Sequence, residues 1–250
     1  MHALGRLLAR RADVVSALVA LLLWIVVSEV WQPMWLPRIP DVGRELGKLL
    51  TDGSLSALGT TGFTLAVGLL ATFVAAGAIA AAMASSATIE EGLLPFVNGF
   101  LSTPHIALIP MFTFIWGTSE TTRIVTTISF AIAPVILTWT AALKETHPHL
   151  MEMATSFGAG AGTRTRYVRL PGAVSPLIAG LRIGVMQGIK GVVSAEVIIG
   201  VVGIGKLVTT ASHTFNMPQL FAVIILIIAL SVIVYAILTR IESRVTRWNS

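Results

Sequence analysis

The sequence has no cysteine and few charged residues. Only 12% of its 250 residues are Asp, Glu, Lys or Arg, whereas soluble domains usually carry about 25%. The missing cysteine excludes both a disulfide framework and a thiolate metal site. Hydrophobic residues make up 55% of the chain, and the mean hydropathy is +0.85. Together these values are typical of a protein with several membrane spans.

The sequence also lacks the short motifs of common enzymes. It has no G-x-x-x-x-G-K-[ST] phosphate loop, no H-E-x-x-H and no G-x-S-x-G. The adjacent acidic residues Glu90 and Glu91 do not form a metal-ligand cluster, and no water-soluble segment is long enough to hold an active site. We therefore expect a chain without catalytic activity. A secondary transporter or channel is the alternative, although no internal repeat supports it.

Six apolar segments are predicted to cross the bilayer, which takes about 20 residues of helix. If the N-terminus is cytoplasmic, more Lys and Arg lie in cytoplasmic than in outer segments, so both termini are expected inside. The net charge of +5 then reflects topology and not nucleic-acid binding. The first segment is interpreted as a retained helix and not as a cleaved signal peptide. The predicted spans are Val14–Trp31, Thr60–Met83, Leu93–Trp116, Ile124–Leu143, Ala173–Gly200 and Gln219–Thr239.

Two regions are distinguished on this topology. Residues 1–59 contain the first span and an outer loop, and residues 60–250 contain the other five spans. In the outer loop, Asp41 is expected to cap a short amphipathic helix that runs through Leu50 along the membrane surface.

The longest cytoplasmic loop, over residues 144–172, includes the sequence EMATSFGAGAGTRTRYVRLP. Small residues recur there at helical spacing, and the glycines that follow are expected to end this helix because they tolerate positive φ. Thr163 is predicted to cap a second short helix, which Pro171 limits. Such a segment fits either a solvated basic loop or a docking element for a cytoplasmic partner. The small-residue face consists of Met151, Ala154, Thr155 and Gly158.

This loop resembles the E-A-A-x-x-x-G-x9-I-x-L-P motif of permease subunits of binding-protein-dependent ABC importers. The spacing matches throughout, and the departures are Met153 for a small residue and Val168 for Ile. The segments LSTPHIALIP at 101–110 and AGLRIGVMQGIKGVVSAE at 179–196 are similar to the nitrate/sulfonate/taurine branch of that family. The matching motif residues are Glu152, Ala154, Gly158, Val168, Leu170 and Pro171.

The resemblance implies an all-α, polytopic membrane protein with six transmembrane helices and the type I ABC importer permease fold. It implies that residues 60–250 form the permease core, and that the loop over 144–172 is the coupling helix docking on a cytoplasmic ATPase dimer. ATP and Mg would be bound by that partner, with no cofactor in this chain. A second permease subunit, expected to be identical, and a periplasmic or lipid-anchored substrate-binding protein would complete the complex in the bacterial inner membrane. The residues expected to couple are Glu152, Ala154, Thr155, Gly158, Leu170 and Pro171.

The fifth predicted span carries a stripe of small residues on one helical face. Gly180, Gly184 and Gly188 lead this stripe, and Gly191 and Ala195 continue it. Such a face favours close helix packing. Its partner could be another span of the chain or a second copy.

Three ionisable residues in or near the spans are candidates for a solute pathway: His105, Lys190 and Glu196. Charges inside a span usually face a bundle interior or water. Lys190 is predicted either to pair with a carboxylate such as Glu29 or Glu196, or to attract an anionic solute. His105 is alternatively a hydrogen-bonded packing residue. The transported solute is therefore expected to be a small anion.

Overall fold

The structure, a computed structural model, describes residues 15–16, 18–144, 148–164, 166–167 and 170–245. Within these ranges every regular element is a helix, which confirms the all-α prediction. The helices are α1 (Leu18–Trp31, with a π-helical turn at Val27–Trp31), α2 (Ile39–Thr51), α3 (Leu55–Ser85), α4 (Ala87–Leu101), α5 (Ile109–Trp116), α6 (Glu120–Lys144), α7 (Pro148–Ser156), α8 (Ala161–Arg164), α9 (Leu170–Ile199), α10 (Gly203–His213) and α11 (Met217–Val245).

Four of the described helices are long and apolar enough to cross a membrane: α3, α6, α9 and α11. They correspond to the second, fourth, fifth and sixth predicted spans. The described part of the first predicted span is the shorter apolar helix Leu18–Trp31. By length and composition the prediction of several membrane spans is confirmed. The predicted count of six agrees only approximately with the four helices found here.

The third predicted span is the main difference from the sequence-based prediction. It is not one helix over Leu93–Trp116 but two, α4 and the segment His105–Trp116, which meet at an angle of 85°. The break falls at Thr103 and Pro104. Proline lacks the N–H that a continuing helix needs, and it disfavours helical dihedrals in the residue before it. Beyond the break, a 3₁₀ turn at His105–Leu108 leads into α5.

The short helix of the predicted outer loop exists, but it begins earlier than expected. Arg38 is the N-cap residue of α2, and Pro40 lies in its first turn, where proline is tolerated. The prediction that Asp41 caps the helix is therefore wrong. Asp41 forms an ion pair with Arg44 one turn later. Val42 and Leu49 are buried.

The chain divides into two compact units. The first contains the described residues up to Leu55 together with Leu207–Ile227. In it, the Trp24 indole N–H donates to the Pro37 carbonyl at 2.9 Å, and its ring lies 5.3 Å from that of Phe221.

The second unit contains Ser56–Lys206 and the described residues from Ile228 onward. Its core lies between α3 and α6, with side chains of α4 and the rings of Phe73 and Trp139 packed against it. Their ring centroids are 5.7 Å apart. The buried centre of this core is formed by Ala76, Met83, Val135 and Ile136.

Candidate functional site

The glycine face of α9 packs within the chain. A Cβ placed on Gly184 would lie 2.7 Å from atoms of both Phe73 and Val135, and one on Gly188 would lie 2.7 Å from Leu69. A Cβ on Gly180 would overlap the Trp139 ring. The sequence allowed this face to pack either on another span of the chain or on a second copy. The structure shows it packed on α3 and α6 of the same chain.

Glu196 lies in a fully buried polar cluster at the C-terminal part of α9. Thr61 of α3 donates its hydroxyl to the carboxylate, with oxygen–oxygen distances of 3.0 and 2.8 Å. The backbone N–H of Gly205 donates to Glu196 Oε2 at 3.2 Å. The guanidinium of Arg123 lies 3.6 Å from Glu196 Oε1 and donates to Thr64 Oγ1 at 3.2 Å. The cluster therefore joins α3, α6, α9 and the start of α10 around one negative charge.

Arg123 is a residue that the sequence analysis missed, because it lies one position before the predicted span Ile124–Leu143 and so outside the membrane in that prediction. It is 6% exposed and lies inside α6. The available signal was the run of hydroxyl residues around it, since a charge beside Thr122, Thr126 and Thr127 can enter a polar packing layer. These threonines are buried and donate mainly to backbone carbonyls of their own region.

Two glycines after α9 let the chain fold over this carboxylate. Gly203 has φ +72°, a conformation that favours glycine. A Cβ on Gly203 would overlap the Glu196 carboxylate, and one on Gly205 would overlap the Glu196 backbone. The backbone N–H of Ile204 donates to Thr61 Oγ1 at 3.0 Å. The Gly-Ile-Gly sequence thus permits a close approach that larger residues would prevent.

Lys190 lies in a different environment. It is exposed, and the part of the chain that the structure describes places no carboxylate within ion-pair distance of it. Glu196 is engaged by Arg123, and Glu29 lies 3.4 Å from Arg38. The predicted pairing of Lys190 with Glu196 is therefore not found within the described chain, and pairing with Glu29 or with a residue on another span stays a prediction.

His105 lies between two phenyl rings at the break between α4 and α5. Its ring centroid is 4.9 Å from that of Phe100 and 5.4 Å from that of Phe130. Its buried Nε2 has no hydrogen-bond partner among the described residues. No ion pair or hydrogen bond in the described ranges joins His105, Lys190 and Glu196, so these three candidates do not form one cluster.

The predicted coupling loop forms two short helices, α7 and α8. Just after α7, Gly158 has φ +76°. The N–H of Ala159 donates to the Ala154 carbonyl at 3.0 Å and that of Gly158 to the Thr155 carbonyl at 2.9 Å. This pair of bonds is a Schellman motif, which needs a left-handed residue such as glycine. The end of the first helix at these glycines is as predicted.

The second helix differs from the prediction. Thr163 lies within α8 and does not cap it, because α8 begins at Ala161. The side chain of Arg164 reaches back from α8 and donates to Thr155 Oγ1 at 2.9 Å, which fixes the two short helices to each other. Leu170 is the first residue of α9, and Pro171 follows it in the first turn. Val168 lies outside the described residues.

The surface of α7 is unusually apolar for an exposed helix. Met153 of α7 is 53% exposed, and Phe157, which directly follows the helix, is 84% exposed. Glu152, Thr155 and Gly158 are also exposed, and Ala154 is half-buried. An exposed aromatic residue beside a small-residue face is typical of a protein interaction surface.

The chain matches the family described as binding-protein-dependent transport system inner membrane component over residues 73–247. This match covers more than half of the sequence. The chain belongs to this family. It is a multi-pass membrane protein, as its apolar helices indicate, and the resemblance stated above is confirmed.

Curated relatives of this permease are similar at low identity. It is 29% identical over 168 residues to the taurine transport system permease protein TauC of Escherichia coli, and 26% identical over 162 residues to the riboflavin transport system permease protein RibX of Chloroflexus aurantiacus. These matches cover 67% and 65% of this chain, and only 61% and 60% of those relatives. The formylaminopyrimidine transport permease protein ThiX of Halalkalibacterium halodurans is 23% identical, with 93% of both chains covered.

The fold is shared with a solved transporter. The inward-facing MetNI methionine ABC transporter (CY5 native crystal form) has a chain that matches with a TM-score of 0.64 and 22% identity. The match covers 80% of this permease and 97% of that chain. The permease therefore has the fold of a type I ABC importer permease.

Proposed function

We propose that this permease is the translocation subunit of an ATP-driven importer, and that it carries a small anionic solute delivered by a substrate-binding protein. The observation that carries the proposal is the exposed helix α7. The family's coupling motif begins on this helix, and the side chain of Phe157 directly after it is exposed. The chain itself has no phosphate-binding loop, so ATP and Mg would be bound by a partner ATPase.

Helix α7 is well placed to transmit movement. Together with α8 it forms the segment that links α6 to α9, and these two helices pack along the glycine face. A displacement of α7 would therefore reach two spans that pack closely on each other. The hydrogen bond between Arg164 and Thr155 stiffens the segment, and a stiff segment transmits a push better than a flexible loop.

The complex that this function requires has further parts. Two copies of the permease would enclose the pathway, an ATPase dimer would bind α7 on the cytoplasmic side, and a periplasmic or lipid-anchored binding protein would dock opposite. Both termini would then be cytoplasmic, in agreement with the distribution of Lys and Arg. The proposed coupling residues are Glu152, Ala154, Thr155, Gly158, Leu170 and Pro171.

The solute class is supported by Lys190 and by two relatives. Taurine and aliphatic sulfonates, named in the permeases TauC and SsuC of Escherichia coli, carry a sulfonate. Riboflavin and formylaminopyrimidine, named in RibX and ThiX, show that the relatives also include permeases for uncharged heterocycles. An exposed ammonium within a span favours the anionic class here, because it can attract a negative solute.

The function is tested by purifying the tagged permease in mild detergent from cells that express its genomic neighbours, and by identifying co-purifying proteins. We expect an ATPase, and we expect Phe157→Ala to reduce its recovery at least ~10-fold, since exposed aromatic anchors often contribute 2 kcal/mol or more to an interface (about 30-fold). Phe114→Ala is the matched control, because Phe114 is also a strongly exposed aromatic residue (92%) but belongs to α5 and not to the coupling motif.

The contrary result is equally clear. If the permease is purified without an ATPase and transports in proteoliposomes without ATP, the proposal fails and a secondary transporter replaces it. If an ATPase is recovered equally well with Phe157→Ala and Phe114→Ala, the permease is an importer subunit but α7 is not its docking helix.

A further inference from the structure

The position of Lys190 along α9 places it at the depth of the membrane, although no other part of the chain covers its side chain. The span Gly172–Ile199 has 28 residues, or about 42 Å of helix at 1.5 Å per residue. Lys190 lies about 14 Å from the Ile199 end. The hydrocarbon core is about 30 Å thick, so about 12 Å of the helix extends beyond it. Even if all of that extension lies at the Ile199 end, Lys190 is still within the hydrocarbon core.

The other cations of α6 and α9 are neutralised. Arg123 lies beside Glu196, Lys144 pairs with Glu90, and Arg182 Nη1 lies 2.8 Å from Glu242 Oε2. Lys190 has no such partner in the described ranges. A lone ammonium facing lipid is costly, and intramembrane charges normally face water or a partner. The exposed side of α9 is therefore expected to face an aqueous path.

Two neutral polar residues share the face of Lys190. Gln187 precedes it by three positions and Ser194 follows it by four, so the three side chains lie within about 60° around the helix. Both are half-buried, and no hydrogen bond to their side chains is found among the described residues. By contrast, hydroxyl side chains on other spans donate to the carbonyl four residues earlier, as Thr72 does to Gly68 at 2.8 Å and Thr138 to Pro134 at 2.7 Å.

We propose that Gln187, Lys190 and Ser194 form an anion-recognition stripe on the path-facing side of α9. The stripe offers one ammonium, one amide and one hydroxyl, all of which can donate hydrogen bonds to an oxyanion. Its ligand class is a small solute with a carboxylate or sulfonate group. This inference rests on the proposed transport function and adds to it the residues that select the solute's charge.

The chain has no cysteine, so a single introduced cysteine is the one thiol of the permease, and its labelling can be followed on the permease band of the assembled complex. Gln187→Cys would be treated in membranes with two thiol reagents, sulfonatoethyl methanethiosulfonate, which is anionic, and its trimethylammonium analogue, which is cationic. Val232→Cys on α11 is the control, because Val232 is 59% exposed on an apolar helix and should face lipid. Rates would be normalised to those of a free thiol.

We expect Gln187→Cys to react with both reagents and to prefer the anionic one by ~10-fold or more, because a fixed cation raises the local concentration of anions. Adding Lys190→Gln should abolish that preference, and Lys190→Arg should retain it. Val232→Cys should react with neither reagent.

Two results would overturn the inference. Absence of reaction at both Gln187→Cys and Ser194→Cys would show that the stripe faces lipid or protein. Reaction with a charge preference that Lys190→Gln leaves unchanged would show a water-filled path that does not use Lys190. Either result can occur while an ATPase still co-purifies, so failure of this inference is distinguishable from failure of the proposed function.

Discussion

Glu196 and Lys190 lie on the same helix, less than two turns apart, and their surroundings are opposite. The Glu196 carboxylate is fully buried and accepts hydrogen bonds from Thr61 and Gly205 beside the Arg123 guanidinium. Lys190 is exposed and has no partner within the described part of the chain. A buried charge with a full set of partners holds helices in place. An exposed charge without partners is available to a solute.

The strongest test of this comparison removes the carboxylate. Glu196→Ala leaves the Arg123 guanidinium buried without its counter-charge, and breaking such a pair typically costs 3–5 kcal/mol. We expect the purified complex to lose thermal stability, measured as the midpoint of unfolding in detergent. Loss of the folded complex altogether would also agree with a structural role.

A double variant separates charge from packing in that test. Arg123→Met combined with Glu196→Met removes both charges, and hydrophobic replacement of a whole buried pair is often close to neutral. We expect it to recover part of the stability lost in Glu196→Ala, but not all, because the Gly205 N–H then loses its carboxylate acceptor. If Glu196→Ala is as stable as the natural chain, the cluster is not structural.

The second test concerns the glycine face of α9, the helix that carries both Lys190 and Glu196. Gly184→Ala places a methyl group 2.7 Å from Phe73 and Val135, and such overpacking typically costs 1–3 kcal/mol. The expected result is a lower unfolding midpoint, with lower ATP-driven uptake because α9 is displaced. Gly92→Ala on α4 is the matched control, since a Cβ there meets nothing within 4 Å. Equal stability of the two variants would contradict close packing at this face.

The sequence predicted part of this arrangement well. The glycine stripe was visible from helical periodicity alone, because small residues at i and i+4 share a face in any α-helix. The motif from Glu152 to Pro171 likewise indicated the family from residue types and spacing. Both are local patterns, so they do not depend on which helices are neighbours.

The remaining features depend on tertiary packing. The pairing of Arg123 with Glu196 requires that α6 and α9 lie side by side at one particular height, and no local pattern specifies this. The break at Pro104 was signalled by the proline, but its 85° angle reflects how α4 and α5 pack on neighbouring elements. Membrane helices often accommodate proline with a mild kink, so a continuous span was the simpler prediction.

The smallest expected effect on stability is the most informative about Lys190. Lys190→Gln removes a charge that no described group neutralises, and surface substitutions of this kind usually change stability by less than about 0.5 kcal/mol. We expect the unfolding midpoint to stay the same while ATP-driven uptake of an anionic solute decreases. Arg123→Gln is the matched comparison, because it removes a buried positive charge from α6 and should destabilise the complex. A loss of stability with Lys190→Gln as large as that with Arg123→Gln would mean that Lys190 is bound in a structural pair in the assembled complex. The two charges of α9 would then have the same role, and the distinction drawn between them would not hold.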